Sequence, residues 1–226
     1  MTSLLLLAEK GTGNHTGAMQ FDLDALSAAD RYKLVVNTVT PRPIAWTVTQ
    51  SADGTRNCAP HSFFNALSDD PVLVVLGLLG KGRDGGDKDT ARIIRETGEF
   101  TVALVGEEDA ERMVHTAIDS PPGVDELALA GVETLPASRI RPPLIASAPV
   151  NFECRVWRIL DPSPRSCIVL GRVEVMHVAD RFVLDPVKLR IDTPAMNLIG
   201  RQHGSSNYVR NTDSFEVKRV SWPREG

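Results

Sequence analysis

The second half of the chain carries the pattern that most limits its fold. Val150, Phe152, Cys154 and Val156 alternate with Asn151, Glu153 and Arg155, the period of two that sends successive side chains to opposite faces of a half-buried strand. Cys167 to Val178 supplies another long run of β-formers. Earlier, Ile44–Thr49 reads as a strand, and Ser51-Ala52-Asp53-Gly54-Thr55 reads as the hairpin turn after it, because Asp-Gly accepts the positive φ that a tight turn needs. Val72 to Leu79 is a continuous apolar run, which predicts a strand buried on both faces, and Phe100–Val105 returns to strand. Strands that follow one another without regular helical crossovers favour a barrel over a doubly wound parallel sheet.

Three helices interrupt this series. Ser27 followed by Asp30 before Tyr32, Leu34 and Val35 has the form of an N-capped helix. Asp89 to Thr97 places Ile93 and Ile94 between Arg92 and Arg95, with Gly98 where a helix stops. Glu107 to Ile118 predicts a further helix with Met113, Val114 and Ala117 on one face, ended by Ser120-Pro121-Pro122-Gly123.

With 226 residues and 42% hydrophobic content, the chain has material for one domain with a proper core. Its net charge is −4 and its Lys and Arg are scattered, so the basic footprint of a nucleic-acid binder is missing. Leu4–Leu7 is too short for a signal-peptide core, and no run approaches the ~20 apolar residues that cross a bilayer. A soluble, cytoplasmic protein without a membrane partner is expected. The three cysteines, Cys58, Cys154 and Cys167, are odd in number and widely spaced, which predicts free thiols in a reducing compartment.

Three short stretches carry residue types suited to a ligand. Lys88-Asp89-Thr90 stands at the start of a predicted helix, where unpaired amides and the helix dipole attract an anion and a lysine and a hydroxyl complete the grip. Taken alone, these three residues favour ordinary capping by Asp89 or Thr90, with Lys88 solvated. Thr47 and Thr49 share one strand face, with Trp46 on the other as a core residue. In Ala59-Pro60-His61-Ser62 the proline fixes the backbone and removes a donor, so that neighbouring amides can be aimed at a flat polar ring, with Ser62 and Asn65 as hydrogen-bonding partners and Phe63 and Phe64 as core support. Cys58 and His61 make only half a zinc site, since no second pair at ligand spacing exists. A rival reading is Gly80-Lys81-Gly82-Arg83-Asp84-Gly85, which follows an apolar strand, matches the GxGxxG dinucleotide fingerprint and has Glu107 about twenty residues later. Against it, Gly86 and Asp87 intervene before the helix, and the second half lacks the required crossovers. The bland account of this stretch is a glycine-rich loop, with Lys81 or Arg83 near a ligand.

Together, Pro41-Arg42-Pro43-Ile44-Ala45-Trp46, Ala59-Pro60-His61-Ser62-Phe63-Phe64-Asn65, Lys88-Asp89-Thr90, Gly98-Glu99-Phe100 and a looser Gly200-Arg201 through Gly204 to Tyr208 resemble the flavin reductase-like family in motif and order. The resemblance runs from Met19 to Trp222. Departures are Val72 where a second proline is usual, Cys58 where a larger apolar residue is common, and His203 where glycine is common. The resemblance implies a mainly β fold with flanking helices, an FMN-binding split β-barrel of Greek-key type, formed as one domain over residues 19–226 after a flexible extension at 1–18. It further implies FMN as cofactor, held by Thr47, Val48, Thr49, Ala59, Pro60, His61, Ser62, Asn65, Lys88, Asp89, Thr90, Arg201 and Tyr208. NADH or NADPH would be the co-substrate and free flavin or another small molecule the acceptor, with no catalytic side chain beyond the cofactor. A homodimer with each site near the subunit boundary is implied, and a monooxygenase that consumes the reduced flavin is left open. Two other readings stand beside this one: an FMN-binding electron carrier without its own NAD(P)H turnover, and a Rossmann dehydrogenase built on Gly80–Gly85.

Overall fold

The computed structural model describes residues 17–82, 85–121, 123–220 and 222. The expected extension at 1–18 therefore falls, apart from Gly17 and Ala18, outside the described residues, as do Arg83 and Asp84 of the glycine-rich stretch. The chain divides into two compact units, the smaller made of the residues up to Thr40 with Gln202–Asn207 and the larger of Pro41–Arg201 with Tyr208 onward. Helix α1 (Ala28–Thr38) belongs to the smaller unit and starts as its sequence predicts, with the Ser27 hydroxyl accepting from the Asp30 amide at 3.1 Å.

The larger unit is built on seven strands: β1 (Ala45–Gln50), β2 (Arg56–His61), β3 (Phe64–Asp69), β4 (Val72–Leu79), β5 (Glu99–Leu104), β6 (Val150–Ser163) and β7 (Ser166–Val178). Their order in the sheet is β2-β1-β5-β6-β7-β4-β3, and every neighbouring pair is antiparallel. The two outermost strands, β2 and β3, are consecutive in sequence and separated only by Ser62 and Phe63. Two residues span less than ~8 Å. The sheet therefore curls until its edges meet, and the Ser62-Phe63 corner joins them. The Gly77 amide of β4 donates to the Phe63 carbonyl at 2.7 Å, and a Cβ on Gly77 would lie 2.9 Å from the Phe63 Cβ, so this position needs glycine. An all-antiparallel sheet has no strand-helix-strand crossover, and the Rossmann reading of Gly80–Gly85 is thereby overturned.

Inside the barrel, Ala45, Phe64, Leu76, Phe100, Val102, Cys154 and Val169 form one apolar cluster. Helix α2 (Asp89–Thr97) joins it through Ala91 and Ile94 and stops at Gly98, whose φ of 71° is the left-handed conformation expected there. On the outer side of β1 and β5, Trp46, Val48, Cys58 and Ala103 pack with Met113, Leu127 and Ile145. These last come from α3 (Ala110–His115), α4 (Glu126–Leu129) and the segment after them. Trp46 is fully buried, and its indole N–H donates to the Thr116 hydroxyl at 2.8 Å. All three cysteines are buried free thiols, as the sequence predicts.

Three local expectations change. The Val72–Leu79 strand is fully buried on one face only: Val74, Leu76 and Leu78 point inward, Leu73, Val75 and Gly77 between them are half-buried, and the end residues Val72 and Leu79 are exposed. The predicted helix at Glu107–Ile118 is a 3-10 turn over Glu107–Asp109 followed by a short α-helix, and Asp109, Met113 and Thr116 are buried while Val114 and Ala117 face out. A spacing of three, not the adjacent pair Met113 and Val114, sets the inward face. On β6 the alternation is real, but Asn151 and Glu153 of its polar side are buried as well. Residues 138–145 lie across that side, clipped by Glu153 to the Ser138 and Arg139 amides, by Thr101 to the Pro142 carbonyl and by Asn151 to the backbone of Ile145.

Candidate functional site

The mouth of α2 is the best-prepared anion position in the larger unit. Lys88 is its N-cap, and the Lys88 side chain makes no capping hydrogen bond. Asp89 turns instead to Arg92 at 2.7 Å. The capping reading of Asp89 is thus not realised, and no side-chain cap hydrogen bond is made at this helix start among the described residues. Thr90 is buried, and its hydroxyl accepts from the Asn57 side-chain amide at 3.0 Å. The same amide donates to Thr49 at 3.1 Å. Asn57 thereby fixes the start of α2 against β1 and β2.

Thr47 and Thr49 share a face as the two-residue period requires, but that face is the barrel interior, shared with Ala45, and both side chains are fully buried. Thr47 bonds weakly back to the Ala45 carbonyl at 3.4 Å, and Thr49 connects to the helix mouth through Asn57. Val48 points to the outer cluster.

Ala59, Pro60 and His61 form the last half of β2, paired with Thr47, Trp46 and Ala45. Proline is tolerated because β2 ends the hydrogen-bonded order of the sheet. All three are half-buried. The His61 Nε2 atom is buried and has no hydrogen-bond partner among the described residues. Burial, and then the nearby Lys88 ammonium, hold its imidazole down to about 4, so it is neutral near pH 7. Lys88 also passes beside Gly80, whose added Cβ would lie 3.5 Å from the lysine Cε. His61 and the α2 mouth with its Lys88 are in this way brought together from two separate stretches of sequence.

At the corner, Ser62 accepts from the Arg42 guanidinium Nε at 3.3 Å, and Arg42 is only 6% exposed. Arg42 lies in a short strand, Arg42–Pro43, that pairs with Ile199–Arg201, which in turn pairs with Tyr208–Arg210. Arg42 is opposite Arg201, and Arg201 is opposite Tyr208 with its guanidinium 4.7 Å from the ring centroid. Ser62, Arg201 and Tyr208 are thus linked through Arg42. Asn65 stands apart: it is exposed, and its side-chain oxygen accepts from the Ala66 amide.

A cavity of about 110 Å³ opens beside the other flank of α2, lined by Ser51, Thr55, Arg56, Asn57, Asp89 and Arg92 among others. Its two arginines are already paired, Arg56 to Asp125 at 2.5 Å and Arg92 to Asp89.

Asn57 and Arg42 are the residues that sequence reasoning passed over. Counting back across the Ser51–Thr55 turn puts Asn57 opposite Thr49, a signal that was present. Nothing local marks Arg42 as buried.

Residues 37–188, two thirds of the chain, match the flavin reductase like domain. This chain belongs to that family. An uncharacterized protein of Deinococcus radiodurans is 39% identical over 89% of this chain and 90% of its own length. Among solved structures, 2-nitrobenzoate 2-nitroreductase NbaA of Pseudomonas fluorescens superposes with a TM-score of 0.81 at 30% identity, covering 91% of this chain and 98% of that one. Nitrilotriacetate monooxygenase component B from Bacillus cereus gives 0.82 at 29% identity, covering 90% of this chain and 100% of that one. Flavin reductase like proteins are flavin-binding split barrels, and the antiparallel sheet closed at Ser62-Phe63 is this chain's version of that architecture.

Proposed function

We propose that this chain is an FMN-dependent oxidoreductase that draws hydride from NADH or NADPH and passes the electrons to free flavin or another small acceptor. The observation that carries the reading is the α2 mouth, where amides without a side-chain cap, the Lys88 ammonium and the partnerless Nε2 of His61 meet. These are the donors a dianionic phosphate needs, and they have no better use in the bare protein.

In this reading Lys88 and the amides following it hold the 5′-phosphate, and Asn57 keeps that helix start in register through Thr90. The backbone of Ala59, His61 and Ser62 orients the ring edge, with Pro60 withholding a competing donor. Arg42 steadies Ser62, and Arg201 and Tyr208 close the far side. Bound FMN would supply the hydride and electron transfer, so the side chains need only bind, orient and exclude water. Similarity to a 2-nitrobenzoate 2-nitroreductase supports a small organic acceptor, and similarity to a monooxygenase component supports delivery of reduced flavin to a partner enzyme.

A homodimer completes the proposal. The outer side of β1 and β5 is covered by α3, α4 and the 138–145 segment, whereas the outer side of β4, β7 and the far end of β6 has no such cover among the described residues and presents half-exposed Leu73, Val75, Ile168 and Leu170 beside exposed Leu160.

The test is to mix purified protein with NADH or NADPH, with and without added FMN. Rapid oxidation supports the enzyme; flavin retained with no oxidation under any condition makes the chain an electron carrier instead.

A further inference from the structure

Past the Tyr208–Arg210 strand the chain leaves the barrel as an extended arm. Residues 211–220 and Trp222 form no helix or strand, and beyond Asn211, which donates to the Leu198 carbonyl, no hydrogen bond ties them down among the described residues. The arm is nonetheless apolar at intervals. Phe215 is 88% exposed, Val217 78%, Val220 92% and Trp222 91%. Phe215 and Val217 alternate with Ser214, Glu216 and Lys218, the two-residue period of a strand with one buried face. A run of this kind standing in water is the signature of a segment whose partner lies on another molecule.

We propose that residues 211–220 and Trp222 dock on a second copy of this chain, laying Phe215 and Val217 along the outer face of the partner barrel that is left open among the described residues, with Val220 and Trp222 extending the contact beyond them. The inference rests on the homodimer proposed above and adds to it the element that holds the dimer together. The receiving face is the one formed by Leu73 and Val75 of β4, Ile168 and Leu170 of β7 and Leu160 of β6, which lie side by side in the sheet. In extended form the twelve residues reach ~40 Å, enough to cross from one small domain to the next. A buried Phe or Trp covers ~150–250 Å², so the arm's two aromatics supply a large share of the ~800 Å² that each partner contributes to a standard interface. A membrane is a poor occupant for this arm, since Asp213 and Glu216 are interspersed with Lys218 and Arg219 and no basic face forms. Because the arm continues directly from Tyr208, its docking also anchors the Arg201–Tyr208 pair.

The test is sedimentation of the full chain across a concentration series, comparing the unaltered protein with Phe215→Ser/Val217→Ser/Trp222→Ser and, separately, with Leu170→Gln on the receiving face. The arm residues are exposed in the single chain, so the triple variant folds. The expected result is a dimer dissociation constant raised at least tenfold by either change, with the combination adding little beyond the larger effect. A monomeric unaltered protein at every concentration overturns the dimer and the arm together. A dimer whose dissociation constant is indifferent to the triple variant overturns the arm alone and leaves the dimer standing.

Discussion

Asn57 and Thr90 are 33 residues apart in sequence and joined by a buried 3.0 Å hydrogen bond from the asparagine amide to the threonine hydroxyl. The bond runs from an edge strand to the first turn of the helix proposed to hold the cofactor phosphate. The same amide engages Thr49, so one side chain sets the position of α2 relative to two strands. Asn57→Ala strands two buried hydroxyls and is expected to cost about 1–3 kcal/mol. Thermal unfolding with and without FMN measures this, and the loss is expected to be larger with flavin present, because the helix start is then under load. An equal loss in both conditions confines Asn57 to a structural role.

The imidazole of His61 titrates at about 4 instead of 6.5, chiefly through burial and secondarily through Lys88. The folded protein then binds this proton less readily than the unfolded chain, so unfolding gains as pH falls. The contribution is complete above pH 6.5 and is lost as pH falls toward 4, up to about 3 kcal/mol. In flavin-free protein, urea midpoints followed across this window are expected to fall less steeply for His61→Phe than for the unaltered chain. Parallel slopes contradict the assignment.

Glu153 is fully buried and accepts from the Ser138 amide and hydroxyl, the Arg139 amide and His177 Nε2, all within 2.8 Å. Burial opposes its ionisation, but these donors outweigh burial and bring it to about 2. Its contribution is present above pH 4.5 and lost as pH falls toward 2. Glu153→Gln points an NH₂ group at donors and is expected to destabilise by about 2–4 kcal/mol in denaturant unfolding at neutral pH. A change under about 0.5 kcal/mol, the usual span of surface substitutions, would mean that the 138–145 segment is held without it.

Gly77→Ala forces a Cβ to 2.9 Å from the Phe63 Cβ, an atom too close to the backbone to swing away. The corner that closes the barrel must shift, at an expected cost of about 1–3 kcal/mol. Ser62 sits in that corner, so flavin retention is expected to fall with stability in a dialysis assay. Retention at the unaltered level separates the corner from the site.

The barrel was legible because strand periodicity is local: β1, β6 and β7 and the turn at Asp53-Gly54 all carry their own signals. What sequence could not supply is which second layer covers each face. Glu153 and Asn151 look like solvent-facing positions of an alternating strand, and only the 138–145 segment crossing above them turns them into buried clips. Parity puts Thr47 and Thr49 on one face, but β1 is buried on both sides, so parity alone does not tell that theirs is the interior. Lys88 and His61 were each singled out from their own motif; their meeting depends on α2 folding back to the end of β2, which no short-range pattern encodes. The apolarity of Val114 suggests an inward position, but a helix of one and a half turns has too few residues for that pattern to decide.

The most direct measurement is a titration of the purified protein with FMN, following flavin fluorescence and absorbance, beside the Lys88→Ala/Thr90→Ala variant. The account predicts a yellow protein holding one flavin per chain and at least a tenfold weaker affinity in the variant, the loss of ~1.4 kcal/mol or more that removing a charge-assisted phosphate contact entails. A colourless protein that leaves the FMN signal unchanged contradicts the account.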